Sequence, residues 1–308
     1  MNIFDAHCDV IWKLWEKKCQ VSFKNDSNLH VTLHKLKQAN AKIQCFAIYV
    51  PEKVPMEQRF DTVLEMIEIF YREILDKHPE MKLITTKHDS QILKDGEIGA
   101  LLSLEGCDAI GTNIARLRIL HRLGVRSVGL TWNYSNSVAD GVLEPRGAGL
   151  SNFGKEVVKT LNEYHLWTDV SHLSEKGFWD VMDLAHHPIA SHSNALSLHH
   201  HPRNLTDEQI KALVLKDGMI GITFYPSFIT DTKPAQITHI LRHVDYVCSL
   251  GGEKNIGFGS DFDGIDETVE QLDSYADYQN LVNELLKYYK EEQVKGFLFS
   301  NFLDHISF

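Results

Sequence analysis

The chain has 308 residues, 43% hydrophobic and 24% charged, and its 31 basic against 42 acidic side chains give a formal net charge of −11. This leaves ample material for a sizeable core, and an acidic balance with no basic stripe argues against nucleic acid as a partner. No uninterrupted apolar run is long enough to span a bilayer.

The N-terminus opens almost directly on strand-like sequence, so no signal peptide is expected. The five cysteines (Cys8, Cys19, Cys45, Cys107 and Cys248) are scattered and form no CxxC pair. Reduced thiols in the cytoplasm are the expectation.

The first element, in IFDAHCDV (3–10), is an apolar run that ends on a histidine and an aspartate two positions apart. Residues i and i+2 of a strand share a face. His7 and Asp9 are therefore expected to look one way, with Ala6 and Cys8 on the other side. Alone, such a pair is more often a surface ion pair than a pair of metal ligands.

Strand-like runs then recur at 2–6, 42–50, 98–105, 125–132, 166–172, 188–192, 219–225 and 255–261. Amphipathic stretches such as 60–77, 152–164, 206–215 and 237–250 lie between them, the third opening on a capping-box pair, Thr206 and Gln209. Strand–helix alternation argues for a parallel sheet. Eight repeats in a chain of this length predict an α/β protein of the (β/α)8 TIM-type barrel class. No GxGxxG or Walker sequence follows any strand, which weakens a nucleotide-binding alternative. No linker or low-complexity segment interrupts the pattern, so 1–308 reads as one domain, closing with C-terminal helices at 275–289 and 291–298.

Several predicted strands finish on groups that bind metals or move protons. His7 and Asp9 end the first, Glu105 the third, His172 the fifth, His192 the sixth, and Asp261 and Asp263 the eighth. A barrel gathers the C-terminal ends of its strands on one face, where its active sites lie. Mixed histidine and carboxylate donors suit zinc-like ions at a hydrolytic site. A carboxylate can bridge two cations, and Glu105 in SLEG is the natural candidate. Asp261 would then be spare for proton transfer. Each residue also has a plainer reading. His172 could be a structural histidine, Glu105 a salt-bridge partner, and Asp261 and Asp263 turn formers around Gly264. Trp132 could be core packing or a pocket wall. The run His199-His200-His201 reads as solvated loop, and His186 and His187, which precede a strand, fall on the opposite, stability face.

The motifs DAHCD, SLEG, GLSNFGKEVVKTLNEYHLWTDVSHLS, PIASHSN, HPRNLTD and GFGSDFDG together resemble the renal (membrane) dipeptidase family of zinc peptidases. The resemblance runs from the first strand to about residue 264, and the combination is far more specific than HxD alone. It implies a barrel that binds two Zn2+ (with Mn2+ or Co2+ as substitutes) and hydrolyses dipeptides. Carried over, His7 and Asp9 would hold one zinc, His172 and His192 the second, and Glu105 would bridge them. Asp261 would be the catalytic acid/base, and Arg203 would pair with the substrate's terminal carboxylate, as a guanidinium fork does well. A homodimer is implied by resemblance only.

The sequence departs from the animal members in the fourth-strand motif, LTWN, where Trp132 stands in place of their histidine. An indole donates one hydrogen bond but neither titrates nor ligates. Trp132 and Tyr225, at the ends of the fourth and seventh predicted strands, are candidate substrate-binding residues. The signal peptide, paired cysteines and lipid-anchor tail of the animal members are also missing, which matches a soluble bacterial-type member. Two other readings stay open: a dinuclear hydrolase acting on another small amide such as a β-lactam, or on a phosphoester, and a metal- or peptide-binding protein without catalysis.

Overall fold

The computed structural model describes residues 1–308. Its strands are β1 (Ile3–Cys8), β2 (Ala41–Tyr49), β3 (Met81–Leu83), β4 (Ile98–Glu105), β5 (Val125–Gly129), β6 (Trp167–Asp169), β7 (Pro188–Ala190), β8 (Met219–Ile222) and β9 (Ile256–Phe258). All pair in parallel in the order β2-β1-β9-β8-β7-β6-β5-β4, and β2 returns to β4 from Ile43↔Gly99 to Tyr49↔Glu105, closing an eight-stranded barrel. The fold is the expected (β/α)8 barrel.

One strand was not foreseen. The short β3 pairs with the first half of β4, and β5 takes the second half from Leu102 onward. With the sequence MKL it offers too short a pattern to stand out. The strands also end earlier than their apolar runs suggest: β5 stops at Gly129, β6 at Asp169, β7 at Ala190 and β9 at Phe258. The residues beyond them turn into the loops at the barrel mouth.

The helices follow from their caps and faces. Thr206 and Gln209 form the reciprocal capping box, with Gln209 Oε1 accepting from Thr206 N at 2.9 Å and Thr206 Oγ1 accepting from Gln209 N at 3.2 Å. Helices Ile114–Arg122 and Glu175–Leu184 are opened by the side chains of Asn113 and Ser174. The stretch 60–77 is a helix, Arg59–Ile69, that widens into a π-type segment over Phe70–Asp76. The C-terminal helices are Tyr278–Tyr288 and Glu291–Lys295, with a last turn at Asn301–Asp304.

Two apolar layers hold the barrel. The larger lies between strands and helices and includes Ile3, Phe46, Leu102, Leu104 and Val128. The smaller fills the barrel interior with Phe4, Ala6, Ile43, Cys45, Leu101, Trp167, Ile189 and Met219, and Phe302 and Ile306 of the C-terminal segment close its floor. Period-two alternation explains the split on β4, where Leu101 faces in while Leu102 and Leu104 face out. Glu105 is thus the top of an inward column. At the floor, a Cβ on Gly257 would lie 2.4 Å from the Phe302 ring, so glycine makes room for the plug.

On β1 the alternation is broken, which corrects the expected face assignment. Asp5 pairs with Gln44 but Cys8 with Phe46, so β1 carries one extra residue there. Ala6 joins the interior layer and Cys8 the outer one, so they do not share a face. The bulge turns His7 into the mouth, and Asp9 lies beyond the strand at the head of helix Val10–Glu16.

Phe4 is fully buried, with its ring stacked on Phe302 at 5.2 Å and tilted against Trp167 at 6.3 Å. Phe4→Ala is expected to cost about 3–5 kcal/mol, read as a lower denaturant midpoint with an unchanged slope. An unchanged midpoint would mean that the floor does not depend on this ring.

Candidate active site

The mouth of the barrel brings His7, Asp9, Glu105, His172, His192, Asp261 and Arg203 around one cavity of about 450 Å³, together with Trp132 and Tyr225. Glu105 divides its two oxygens. Oε2 lies 3.7 Å from His7 Nε2, whereas Oε1 lies 2.9 Å from His172 Nε2 and 3.7 Å from His192 Nε2. His7 Nε2 also lies 3.3 Å from Asp9 Oδ2 and 3.8 Å from Asp261 Oδ1. Two donor groups result, His7 with Asp9 and Asp261, and His7 with Glu105 and His192. His172 stands beside the second, its Nε2 2.9 Å from that of His192.

Neighbouring residues assign the imidazole tautomers. His172 Nδ1 donates to Asn133 Oδ1 at 2.9 Å. Ser191 donates its hydroxyl proton to Asp169 Oδ2, so Ser191 Oγ accepts from His192 Nδ1 at 2.8 Å. Asp169 is itself fixed by Ser171 Oγ at 2.7 Å and by the backbone N–H groups of Ser171 and Ser191, each at 3.0 Å. Both Nε2 atoms are therefore left with lone pairs that face each other and Glu105. A backing carboxylate of this kind is the usual support of a metal-bound histidine. His7 Nε2 and Asp9 Oδ1 are buried without hydrogen-bond partners.

Electrostatics point the same way. Burial pushes Asp9 and Asp261 up to about 7. Glu105 goes well above the usual carboxylate range through burial and then repulsion from Asp9. Burial also holds His172 and His192 neutral, well below the ordinary histidine value. Crowded carboxylates and neutral imidazoles with free lone pairs are a donor set that fits divalent cations.

Backbone geometry positions the acids. Asp261 and Asp263 both adopt the left-handed region (φ 64° and 67°), which aspartate tolerates better than most residues. Asp261 turns into the mouth. Asp263 turns away and accepts from His30 N at 2.7 Å and Val31 N at 2.9 Å, so it is the turn former of the pair. Gly264 closes the turn against the site, since a Cβ there would lie 2.3 Å from Asp9 Oδ2 and 2.6 Å from Asp261 Oδ1.

Arg203 is buried on the far side. Its Nη2 donates to His172 Nε2 at 3.1 Å and to His192 O at 3.3 Å, while Nε and Nη1 have no partner. Burial lowers it to about 10, with Asp261 and Glu105 opposing that shift. Trp132 and Tyr225 are half-buried walls. His200 is exposed, but His199 Nε2 donates to Ser227 O at 3.0 Å and the His201 ring lies tilted against Phe228 at 4.3 Å, so the histidine run is only partly solvated. Sequence reasoning did not single out Asn133, Asp169 or Ser191. Asp169 and Ser191 stood in the quoted DVSH and ASH motifs, each within three residues of a candidate ligand.

A closed parallel barrel with such a donor set at its C-terminal mouth defines a metallohydrolase-type site. The sequence profile of the membrane dipeptidase family (peptidase family M19) matches residues 1–306, and the chain belongs to that family. It is thus a metallo-dipeptidase, a hydrolase acting on peptide bonds. Among its relatives, an uncharacterised dipeptidase of Schizosaccharomyces pombe is 29% identical over 98% of this chain and 79% of its own length. A metallopeptidase from Rhodobacter sphaeroides, solved with a phosphinate mimic of L-Ala-D-Ala, superposes with a TM-score of 0.94 at 25% identity, covering 100% of this chain and 99% of the other. A crystal structure of another family M19 dipeptidase gives a TM-score of 0.93 at 27% identity over 99% of this chain and 98% of its own.

Cation uptake must displace the protons that burial favours on Asp9, raised to about 7, and on Glu105, raised well above its usual range, whereas the neutral His172 and His192 offer none. Affinity for zinc is therefore expected to weaken by about 10-fold or more per unit as pH falls below 7. Competition against a chromophoric chelator measures this. Affinity unchanged between pH 8 and 6 would contradict it.

Proposed function

We propose that the chain cleaves dipeptides at a centre of two divalent cations, zinc foremost, with His7 and Asp9 holding one, His172 and His192 the other, and Glu105 shared between them. The observation that carries this reading is the convergence of three donor atoms, with His172 Nε2 2.9 Å from both His192 Nε2 and Glu105 Oε1. Two such ions supply an activated water and polarise the carbonyl under attack.

The protein's own groups do the rest. Arg203 offers its unpartnered Nε and Nη1 to the terminal carboxylate of the substrate, a pairing that suits a planar guanidinium. Asp261, held beside His7 and partly exposed at the mouth, takes a proton and delivers it to the leaving amine. Trp132 and Tyr225 flank the substrate across a cavity of about 450 Å³, a volume suited to a small ligand. We read 1–308 as one domain. No helix is long and apolar enough to cross a membrane, and five free cysteines fit a reducing compartment such as the cytoplasm.

Zinc-loaded protein is expected to hydrolyse L,L or L,D dipeptides, to lose that activity with chelator and to regain it with zinc. Two bound metals with no dipeptide cleaved would overturn the substrate assignment. Asp261→Asn is expected to keep both metals and lower kcat about 100- to 10,000-fold, and normal turnover in that variant would remove its role in proton transfer. Arg203→Ala is expected mainly to raise KM, and an unchanged KM would end the carboxylate assignment.

A further inference from the structure

The strand order sets what lies across the mouth from Arg203. In the eight-stranded ring, β2 is diametrically opposite β7. Arg203, in the segment after β7, therefore faces Tyr49, the last residue of β2. Tyr49 is the centre of an aromatic arc. The ring of Trp12, from the helix after β1, meets it edge-on at 5.8 Å, and the ring of Trp132, from the loop after β5, lies at 5.1 Å. Trp132 also leans on His172 at 6.1 Å, and Pro51 completes the lining. Behind Trp132 lies a second cavity of about 160 Å³, edged by Val50, Met56, Arg59 and Tyr134. Trp132 and Glu105 line both spaces and together stand between them.

We infer that Trp12, Tyr49 and Trp132 form the specificity subsite for the side chain of the dipeptide's N-terminal residue, and that they select an aromatic or large aliphatic group there. The inference rests on the dipeptidase reading with the carboxylate at Arg203. A substrate anchored above β7, with its carbonyl over Glu105, extends its first residue across the mouth toward β2. The surface waiting there is built of indole, phenol and proline rings. Such a wall gains by covering apolar area and by ring stacking. An acidic side chain placed against it would lose water without gaining a free cation, because Lys13 is seated over the Trp12 ring at 4.2 Å and Arg59 is paired with Asp108 at 2.6 Å. Trp132 also limits depth, since its indole stands where the side cavity begins.

The test is a set of dipeptides sharing one C-terminal residue, with glycine, alanine, leucine, phenylalanine, aspartate or lysine first, assayed with zinc-loaded enzyme. The expected result is a kcat/KM about 10- to 100-fold higher for phenylalanine or leucine than for glycine, with aspartate lowest. Trp132→Ala is expected to collapse the phenylalanine-to-glycine ratio toward one, and Trp132→Phe to keep most of it. Because the readout is a ratio within each variant, a loss of total activity or of folded fraction does not mimic it. Dipeptides cleaved with no first-residue preference, or a ratio untouched by Trp132→Ala, would overturn the subsite and leave the dipeptidase reading standing. No cleavage of any member by metal-loaded protein would overturn both.

Discussion

The structure turns on the burial of like with like. Three carboxylates and three imidazoles are held within a few ångströms of one another at the barrel mouth. In a protein interior such groups repel or lose their charge, and the upward displacement of Asp9, Glu105 and Asp261 expresses that cost. The fold must hold them together against it, and cations relieve it. The apolar floor can be read in this light. Phe4, Trp167, Phe302 and Ile306 pack the lower barrel tightly, so closure of the strands does not depend on the polar end.

Orientation is imposed by a second set of residues. Asp169 gathers two backbone N–H groups and two serine hydroxyls, and through Ser191 it fixes which nitrogen of His192 is free. Asn133 does the same for His172. Asp5 accepts from His7 N, Ser260 N and the Tyr278 hydroxyl, which ties β1 to the loop carrying Asp261. The ligand-type residues are widely separated in sequence, but His172 and His192 are each backed by a group that holds the ring in place. Preorganisation of this kind is what a metal site needs in order to keep its geometry before substrate arrives.

Much of this was legible in the sequence because the barrel repeats one simple rule. Apolar runs separated by amphipathic stretches announced the strands, and the rule that active groups collect at their C-terminal ends brought His7, Glu105, His172, His192 and Asp261 to one place. What escaped notice was whatever depends on register. The extra residue in β1 cannot be read from IFDAHC, since a bulge is a relation between β1 and β2 and not a property of either. The short β3 exists because half of the β4 edge is left open below β5. Asn133 and Ser191 carry no local mark of their function, which is decided by the imidazole each meets across the barrel.

The two halves of the mouth are coupled differently to the barrel. The ligand-type residues lie on or just after strands, where neighbouring hydrogen bonds fix their positions. The aromatic arc comes partly from loops, yet the backbone at Trp132 is tied to the strand ends. Gly106 N and Cys107 N donate to Gly129 O and Leu130 O at 3.0 and 3.2 Å, binding the exit of β4 to that of β5. Gly106 adopts a positive φ of 88°, and a Cβ on it would lie 3.2 Å from Trp132 N. The glycine that follows Glu105 thus brings the tryptophan backbone close to the carboxylate. The Trp132 backbone is placed by the same strand ends that place Glu105, so the wall and the donor set share one support. A change of side chain at position 132 alters what the mouth admits, whereas a change at Gly106 disturbs the wall and the carboxylate together.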